Sequence, residues 1–449
     1  MKLLLVYRWR WWFFYLPVML ACSAALWWSV TVWQPLPPHR VVMAAGAQQG
    51  SYVKVAQRYA QQLERQGIEV TLIYSATQQD ALRQLLTPVN PLNPLNPPTP
   101  TSPEAQELPS IGFATGLYAA PGMPLQTLAV VGREPVWLFA KNTGPAALRD
   151  VVGRRVAAGT ATSSTQMAAR LMLGYAGFQP EDVQFVPMSD MAAVTALADD
   201  QVDLVFQAAG EDAQTIQQLL LQHNIQLLGY DQASALSAKD ARLQPLLLPQ
   251  GAIELRGNVP SRDLTLMGLQ THLLVRPDLH PALQRALLAA ATDIHSETSF
   301  LQRHGEFPTQ RNAEFALSPT AIAYSLGSRP WLESVLPYGL AQAASLLLWA
   351  VLPILVVTAL LLSWIPRLFD WRISAALNYF YGELKFLESD MDSVATNSPI
   401  LLKSLLDRID RIERDVVLLD LPDLFSERWY ILREHLAAAR ERLLTLRSR

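Results

Sequence analysis

Two long uncharged apolar runs, one near each end, decide most of what this chain of 449 residues can become. From residue 11 to residue 38 no side chain carries a full charge, and 11–33 is dense in Trp, Phe, Leu and Val. Roughly 20 apolar residues in a helix cross a hydrocarbon core of about 30 Å. Lys2, Arg8 and Arg10 precede the run, which places the N-terminus in the cytoplasm by the positive-inside rule. A cleaved signal peptide has a shorter apolar region ending in a small-x-small site, whereas here the run continues through Trp27-Trp28-Ser29-Val30-Thr31-Val32-Trp33. Leu20-Ala21-Cys22 resembles a lipoprotein cleavage site, yet the apolar stretch passes well beyond it. The reading is a retained anchor over 11–34 after a cytoplasmic segment 1–10. The second run is densest over 343–364 and is followed by Arg367 and Arg372, which gives a span at 340–365 and a cytoplasmic tail at 366–449. Both termini then lie inside, and 39–338 lies outside.

The outer segment repeats one local grammar: a short apolar run, a small polar turn, then a helical pattern. Val41–Ala45 leads through Gly46–Gly50 into a helix beginning near Tyr52, with Val53, Ala56, Ala60 and Leu63 on one face. Ile68–Ile73 leads through Tyr74-Ser75-Ala76-Thr77 into 79–86, and Arg155–Ala158 leads through Gly159–Ser164 into 165–175. Further strands are expected at 128–132, 136–140, 202–206, 225–228 and 266–275. Such alternation points to an α/β fold with a mostly parallel sheet. Ligands of such sheets sit beyond the strands' carboxyl ends, where helix N-termini offer unpaired amides and partial positive charge. The hydroxyl-rich turn Gly159-Thr160-Ala161-Thr162-Ser163-Ser164-Thr165 therefore suits a carboxylate, although Ser or Thr capping a helix after Gly is also ordinary turn chemistry. Between 88 and 109 the repeated Pro and Asn can feed neither ladder nor helix, so this is read as a surface insertion without chemistry.

Several motifs are similar, in order along the chain, to the TAXI-type solute receptors of tripartite (TRAP) transporters. They are Pro135-Val136-Trp137-Leu138-Phe139-Ala140-Lys141; Leu148-Arg149-Asp150-Val151-Val152-Gly153-Arg154-Arg155-Val156 with the Gly159 turn; Leu197-Ala198-Asp199-Asp200-Gln201-Val202-Asp203; and Leu317-Ser318-Pro319-Thr320-Ala321-Ile322-Ala323-Tyr324. Trp371-Arg372-Ile373 and Tyr381-Gly382-Glu383-Leu384 resemble the tail of a membrane-anchored subgroup. The resemblance implies a type II periplasmic-binding-protein-like fold in the periplasm, tethered to a bacterial inner membrane. Its two lobes, about 39–130 with 246–338 and about 131–228, would close on a small organic acid or amino acid such as glutamate. It implies integral-membrane TRAP subunits as partners, besides the bilayer, and ligand contacts from Tyr52, Ser75, Thr77, Trp137, Gly159, Ser163, Ser164 and Thr165. Tyr52 is as readable as a core aromatic at a helix start, and for Trp137 core packing is the stronger of the two readings. The first turn holds less glycine than the family pattern, the second lacks its Gly-rich element, and the late motif has Pro319-Thr320-Ala321 where a His is usual.

In the tail, Leu402, Leu405, Ile409, Ile412, Val416 and Leu419 keep a 3-and-4 spacing, and Trp429, Leu432, Leu436, Ala439, Leu443 and Leu446 repeat it after Pro422. Two amphipathic helices packed as an antiparallel hairpin are expected, with self-association or inward signalling as the functional alternative. A net charge of -3 leaves no electrostatic footprint for nucleic acid. The single Cys22 excludes an internal disulfide and a cysteine metal cluster, and the seven histidines show no H-x-x-x-H pair. Ser163 and Ser164 stand outside any G-x-S-x-G elbow and no phosphate loop of the Walker type occurs, so neither an enzyme nor a cofactor is expected.

Overall fold

The computed structural model describes residues 14–33, 37–47, 50, 52–87, 108–393, 399–419, 421 and 425–448. The cytoplasmic segment 1–10, the start of the first apolar run and nearly all of the Pro-rich insertion lie outside these. The chain divides into two compact units, Pro37–Gln342 and a second one formed from the two ends of the chain.

Within Pro37–Gln342 the strands are β1 Arg40–Ala47, β2 Glu69–Ser75, β3 Ile111–Thr115, β4 Gln126–Lys141, β5 Arg155–Ala157, β6 Gln184–Phe185, β7 Leu204–Ala208, β8 Ile225–Leu228, β9 Leu243–Leu248, β10 Leu264–Val275 and β11 Ala316–Leu317. They form one continuous ladder ordered β2-β1-β3-β10-β4-β7-β5-β6. β1 runs parallel to β2 and β3, and β5 runs parallel to β6 and β7, so each half gathers three carboxyl ends on one edge. The halves are stitched by two long antiparallel strands. β10 pairs with β4 from Met267 to Val275, and it also pairs with β9 over Leu264–Leu269 and with β3 over Thr271–Val275. The second half of β4, Val136 to Lys141, pairs with β7 and β8. Two sheets that share crossing strands in this way make a mixed α/β, periplasmic-binding-protein-like fold.

β4 corrects the expectation of two strands at 128–132 and 136–140. It runs unbroken through Arg133-Glu134-Pro135: β10 pairs with it as far as Val136, and β7 pairs with it from Val136 to Ala140, so the proline lies inside a strand that is held on both sides of it.

The helices are α1 Leu16–Trp28, α2 Tyr52–Glu64, α3 Gln78–Leu86, α4 Ser164–Tyr175, α5 Asp190–Ala198, α6 Gln214–Leu220, α7 Ala233–Lys239, α8 Pro281–His295, α9 Pro319–Ser325, α10 Trp331–Val335 and α11 Tyr338–Leu346. After a π turn at Leu347–Val351 come α12 Leu352–Ser393, α13 Pro399–Val417 and α14 Ser426–Ser448. One face of the first sheet is closed by α2 and α8 through Ala56, Tyr59, Leu63, Leu283 and Leu287, and the other by α3 through Leu82 and Leu85. The second sheet is covered by α4 and α7 on one face and by α5 and α6 on the other. Both faces of each half are thus sealed, as a sheet with buried parallel strands requires.

The other unit contains α1, whose apolar helix covers Leu16–Thr31, and α12 to α14. The continuous helix Tyr338–Asp392 is long and apolar enough to cross a membrane, and only 6% of its most apolar window is buried. Leu377, Leu384, Leu387 and Met391 of α12 join Leu405, Ile409, Ile412 and Val416 of α13 and Leu432, Leu436, Ala439 and Leu443 of α14 in one core. The tail is therefore a three-helix arrangement and not a pair alone. A two-helix seam leaves half of each apolar stripe uncovered, and the end of α12 closes it.

Candidate functional site

The carboxyl ends of β1, β2 and β3 meet around Gly46. Its φ of +77° is readily adopted only by glycine, and a Cβ there would stand 2.9 Å from Gln78 Oε1 and 3.7 Å from the Tyr52 ring. Gln78 Nε2 donates to the Phe113 carbonyl, so the first turn of α3 is tied to β3. Tyr52, the first residue of α2, is buried, lies 5.8 Å from Phe113 in a stacked arrangement, and donates its hydroxyl to Glu134 Oε2 at 3.2 Å. Glu134 is itself only 7% exposed, and it sits opposite Leu269 of β10. Thr271, buried and paired across the ladder with Thr115, places its hydroxyl against that of Tyr52. The Thr115 hydroxyl is fully buried without a partner among the described residues. Burial, and next the charge of Glu134, push the Tyr52 hydroxyl well above its ordinary range; the same two causes, in the same order, push Tyr118 up to about 12. Both phenols are therefore un-ionised donors at neutral pH.

In the second half, Gly159 turns the chain out of β5 at φ +72°, and a Cβ would stand 2.5 Å from Ser163 Oγ. Ser163 caps α4 by accepting from the Gln166 amide at 3.2 Å and donates to the Thr160 carbonyl at 2.8 Å. The first-turn amides of a capped helix still lack intrahelical partners and carry the positive end of its dipole. The two halves touch here: the Tyr118 hydroxyl, just past β3, donates to the Thr162 carbonyl, just past β5, at 3.0 Å. A second bridge is the exposed pair Lys54 Nζ to Asp212 Oδ2 at 4.0 Å, which joins α2 to the segment after β7 and contributes little by itself. Beside it, burial raises the carboxyl of Glu211, with the Asp212 charge adding and a hydrogen bond from Ser299 opposing.

The residues expected from sequence take different positions in this arrangement. Tyr52 and the Gly159–Ser164 turn lie at facing corners. Ser75 donates to Gln84 Oε1 of α3 at 3.1 Å, and Thr77 caps α3, accepting from the Asp80 amide at 3.1 Å. Thr165 is buried and accepts from the Ala208 amide at 3.1 Å, which fixes α4 to β7. Trp137 is fully buried, stacks on Phe139 at 6.3 Å and donates from Nε1 to the Ala209 carbonyl at 2.9 Å, bracing the segment after β7 from beneath. Gln48, Gln49 and Ser51 of the first turn lie outside the described residues. Sequence reasoning passed over Glu134, Thr271, Tyr118 and Gln78. A signal existed for Glu134: the dipeptide Arg133-Glu134 interrupts an otherwise apolar run, and charged residues are almost never fully buried unless paired.

Residues 114–290, under half of the chain, match the family model described as the NMT1-like family. No curated protein matches. Among solved structures the chain is similar to the periplasmic aliphatic sulphonate binding protein SsuA from Escherichia coli, at 18% identity over 65% of this chain and 84% of that one, with a TM-score of 0.39. It is also similar to MatC from Rhodopseudomonas palustris with bound malate, at 16% identity over 68% of this chain and 95% of that one, with a TM-score of 0.37.

Proposed function

We propose that Pro37–Gln342 is a solute receptor that closes on a small amino acid or related organic acid, held at a bacterial inner membrane by the two apolar helices, and that it serves a TRAP transport system of the TAXI type. The observation that carries the reading is the pair of facing corners bridged by Tyr118 and Thr162. A ligand there meets helix N-termini from both halves, which favour a carboxylate, and the buried carboxylate of Glu134 flanked by two phenols, which favours an ammonium. A zwitterion satisfies both; a simple dianion does not. Measuring the thermal unfolding of the full chain in detergent against amino acids, dicarboxylates and sulphonates tests this. A ligand at a hundred times its Kd raises stability by about 2.7 kcal/mol. If none of the panel moves the transition, the receptor reading is wrong.

A second reading is a sensor or scaffold that passes ligand occupancy to the tail. The shared core of α12, α13 and α14 favours it, because a receptor that only delivers solute has no need of a packed cytoplasmic bundle. Removing residues 394–449 separates the two: uptake of the bound solute survives if the tail signals and is lost if the tail docks the transporter.

A further inference from the structure

Exposed apolar side chains on Pro37–Gln342 are mostly scattered, with one exception. Ile322, Leu326, Trp331, Val335 and Leu340 are 46%, 81%, 63%, 71% and 61% exposed, and all five fall within the nineteen residues 322–340. Ile322 and Leu326 share one helical stripe by their i,i+4 spacing, as do Trp331 and Val335. A concentration of this kind marks an interaction surface, whereas single exposed leucines need no explanation.

What covers it follows from where the chain goes next. The patch runs directly into the helix Tyr338–Asp392, whose apolar part is the proposed membrane span. Leu340 opens the expected span at 340–365, so along the chain the patch adjoins the span's outer end. α10 is tied to the start of α11. Gln342 Nε2 donates to Glu333 Oε1 at 2.8 Å, and Glu333 is gripped by Arg285 of α8 at 2.6 Å. This ion pair is four-fifths buried, so α8, α10 and the start of α11 are fixed to one another. Arg285 and Arg329, with the hydroxyls of Thr320 and Ser328, line an open groove of about 430 Å³ at this place. Arg329 stacks over the Tyr324 ring at 4.0 Å, which leaves its guanidinium edge for an oxyanion.

We propose that this face rests on the outer surface of the bilayer, its five apolar side chains in the interface and an anionic phospholipid headgroup in the Arg285–Arg329 groove. The receptor is then held against the membrane by a surface as well as by a tether. The inference rests on the tether reading, and the experiment tells the two apart. The full chain carrying Cys22→Ala receives a single NBD label at Leu326→Cys, at Val335→Cys, at Leu355→Cys within the span, or at the 89% exposed Leu255→Cys in the loop between β9 and β10. Each protein is placed in nanodiscs of phosphatidylcholine with or without phosphatidylglycerol. Expected are blue-shifted emission and protection from iodide at Leu326, Val335 and Leu355 but not at Leu255. Protection at Leu326 and Val335 should deepen with phosphatidylglycerol, and Arg329→Ala should abolish that deepening. Protection at Leu355 alone overturns the proposal and leaves the tether standing; no protection at Leu355 removes both. A phosphatidylglycerol effect that survives Arg329→Ala overturns the headgroup site.

Discussion

Glu134 is the residue on which the choice of ligand turns. A carboxylate this far from water is maintained only if its surroundings donate to it, and Tyr52 does so at 3.2 Å. Replacing it by Gln keeps the shape and the bond from Tyr52 while removing the charge. Loss of a charge-assisted contact costs about 1.5–3 kcal/mol, so Glu134→Gln should weaken an amino acid ligand by one to two powers of ten, measured by calorimetry. Binding of an acid without an ammonium should be unchanged or tighter. Equal loss for both would assign Glu134 a purely structural role. A second residue-scale expectation concerns pH. Burial, and then the charge of Arg58, hold the His295 imidazole down to about 4 from 6.5, and its Nε2 is buried without a partner among the described residues. The unfolded chain therefore binds the extra proton between these two values. Stability is full above about pH 6.5 and falls as pH drops toward 4, by up to roughly 3 kcal/mol. His295→Gln should flatten that slope in urea titrations between pH 4.5 and 7; a slope that persists would place the acid sensitivity elsewhere.

At the scale of elements, the three strand-turn-helix units were legible because each announces itself locally: a short apolar run, a Gly or Ser/Thr turn, then 3.6 spacing. α2 begins at Tyr52, and α4 begins one residue before the expected start. The crossing strands were not legible in the same way. What makes β4 and β10 long is the change of partner halfway along, and no local pattern encodes a partner distant in sequence. For the same reason the site's inner residues escaped notice. Thr271 and Glu134 come together only because β10 and β4 lie side by side, and Tyr118 reaches the third turn only because the two halves face each other. The turn that was legible gives a quantitative expectation. Gly159→Ala must adopt a left-handed φ, at about 1–2 kcal/mol, and in addition meets Ser163 Oγ at 2.5 Å. Gly153→Ala, at φ +69° with nothing within 4 Å, meets the conformational cost alone. Urea midpoints should therefore fall further for Gly159→Ala than for Gly153→Ala. Equal shifts would mean that Ser163 gives way freely and that the turn is looser than its hydrogen bonds imply.

Across the whole molecule, apolar surface is divided between cores that share no residue. The clusters of Pro37–Gln342 are built from both sheets, and the tail's cluster draws only on α12, α13 and α14. Cooperativity follows shared contacts, so separate cores unfold separately. Ile409, fully buried in the tail cluster, supplies the handle. Truncating a buried isoleucine to alanine removes about 2–5 kcal/mol, so Ile409→Ala should lower one calorimetric transition of the full chain by several degrees. The transition that responds to the bound solute should stay in place, and solute affinity should be unaltered. The experiment also weighs the two functional readings. A receptor whose tail merely docks tolerates independent melting, whereas a sensor must couple the two cores through Tyr338–Asp392. In a sensor, solute binding would raise both transitions, and Ile409→Ala would reduce affinity by the same factor that it weakens this response, because coupling between sites is reciprocal. Two transitions that ignore each other would assign the tail to docking.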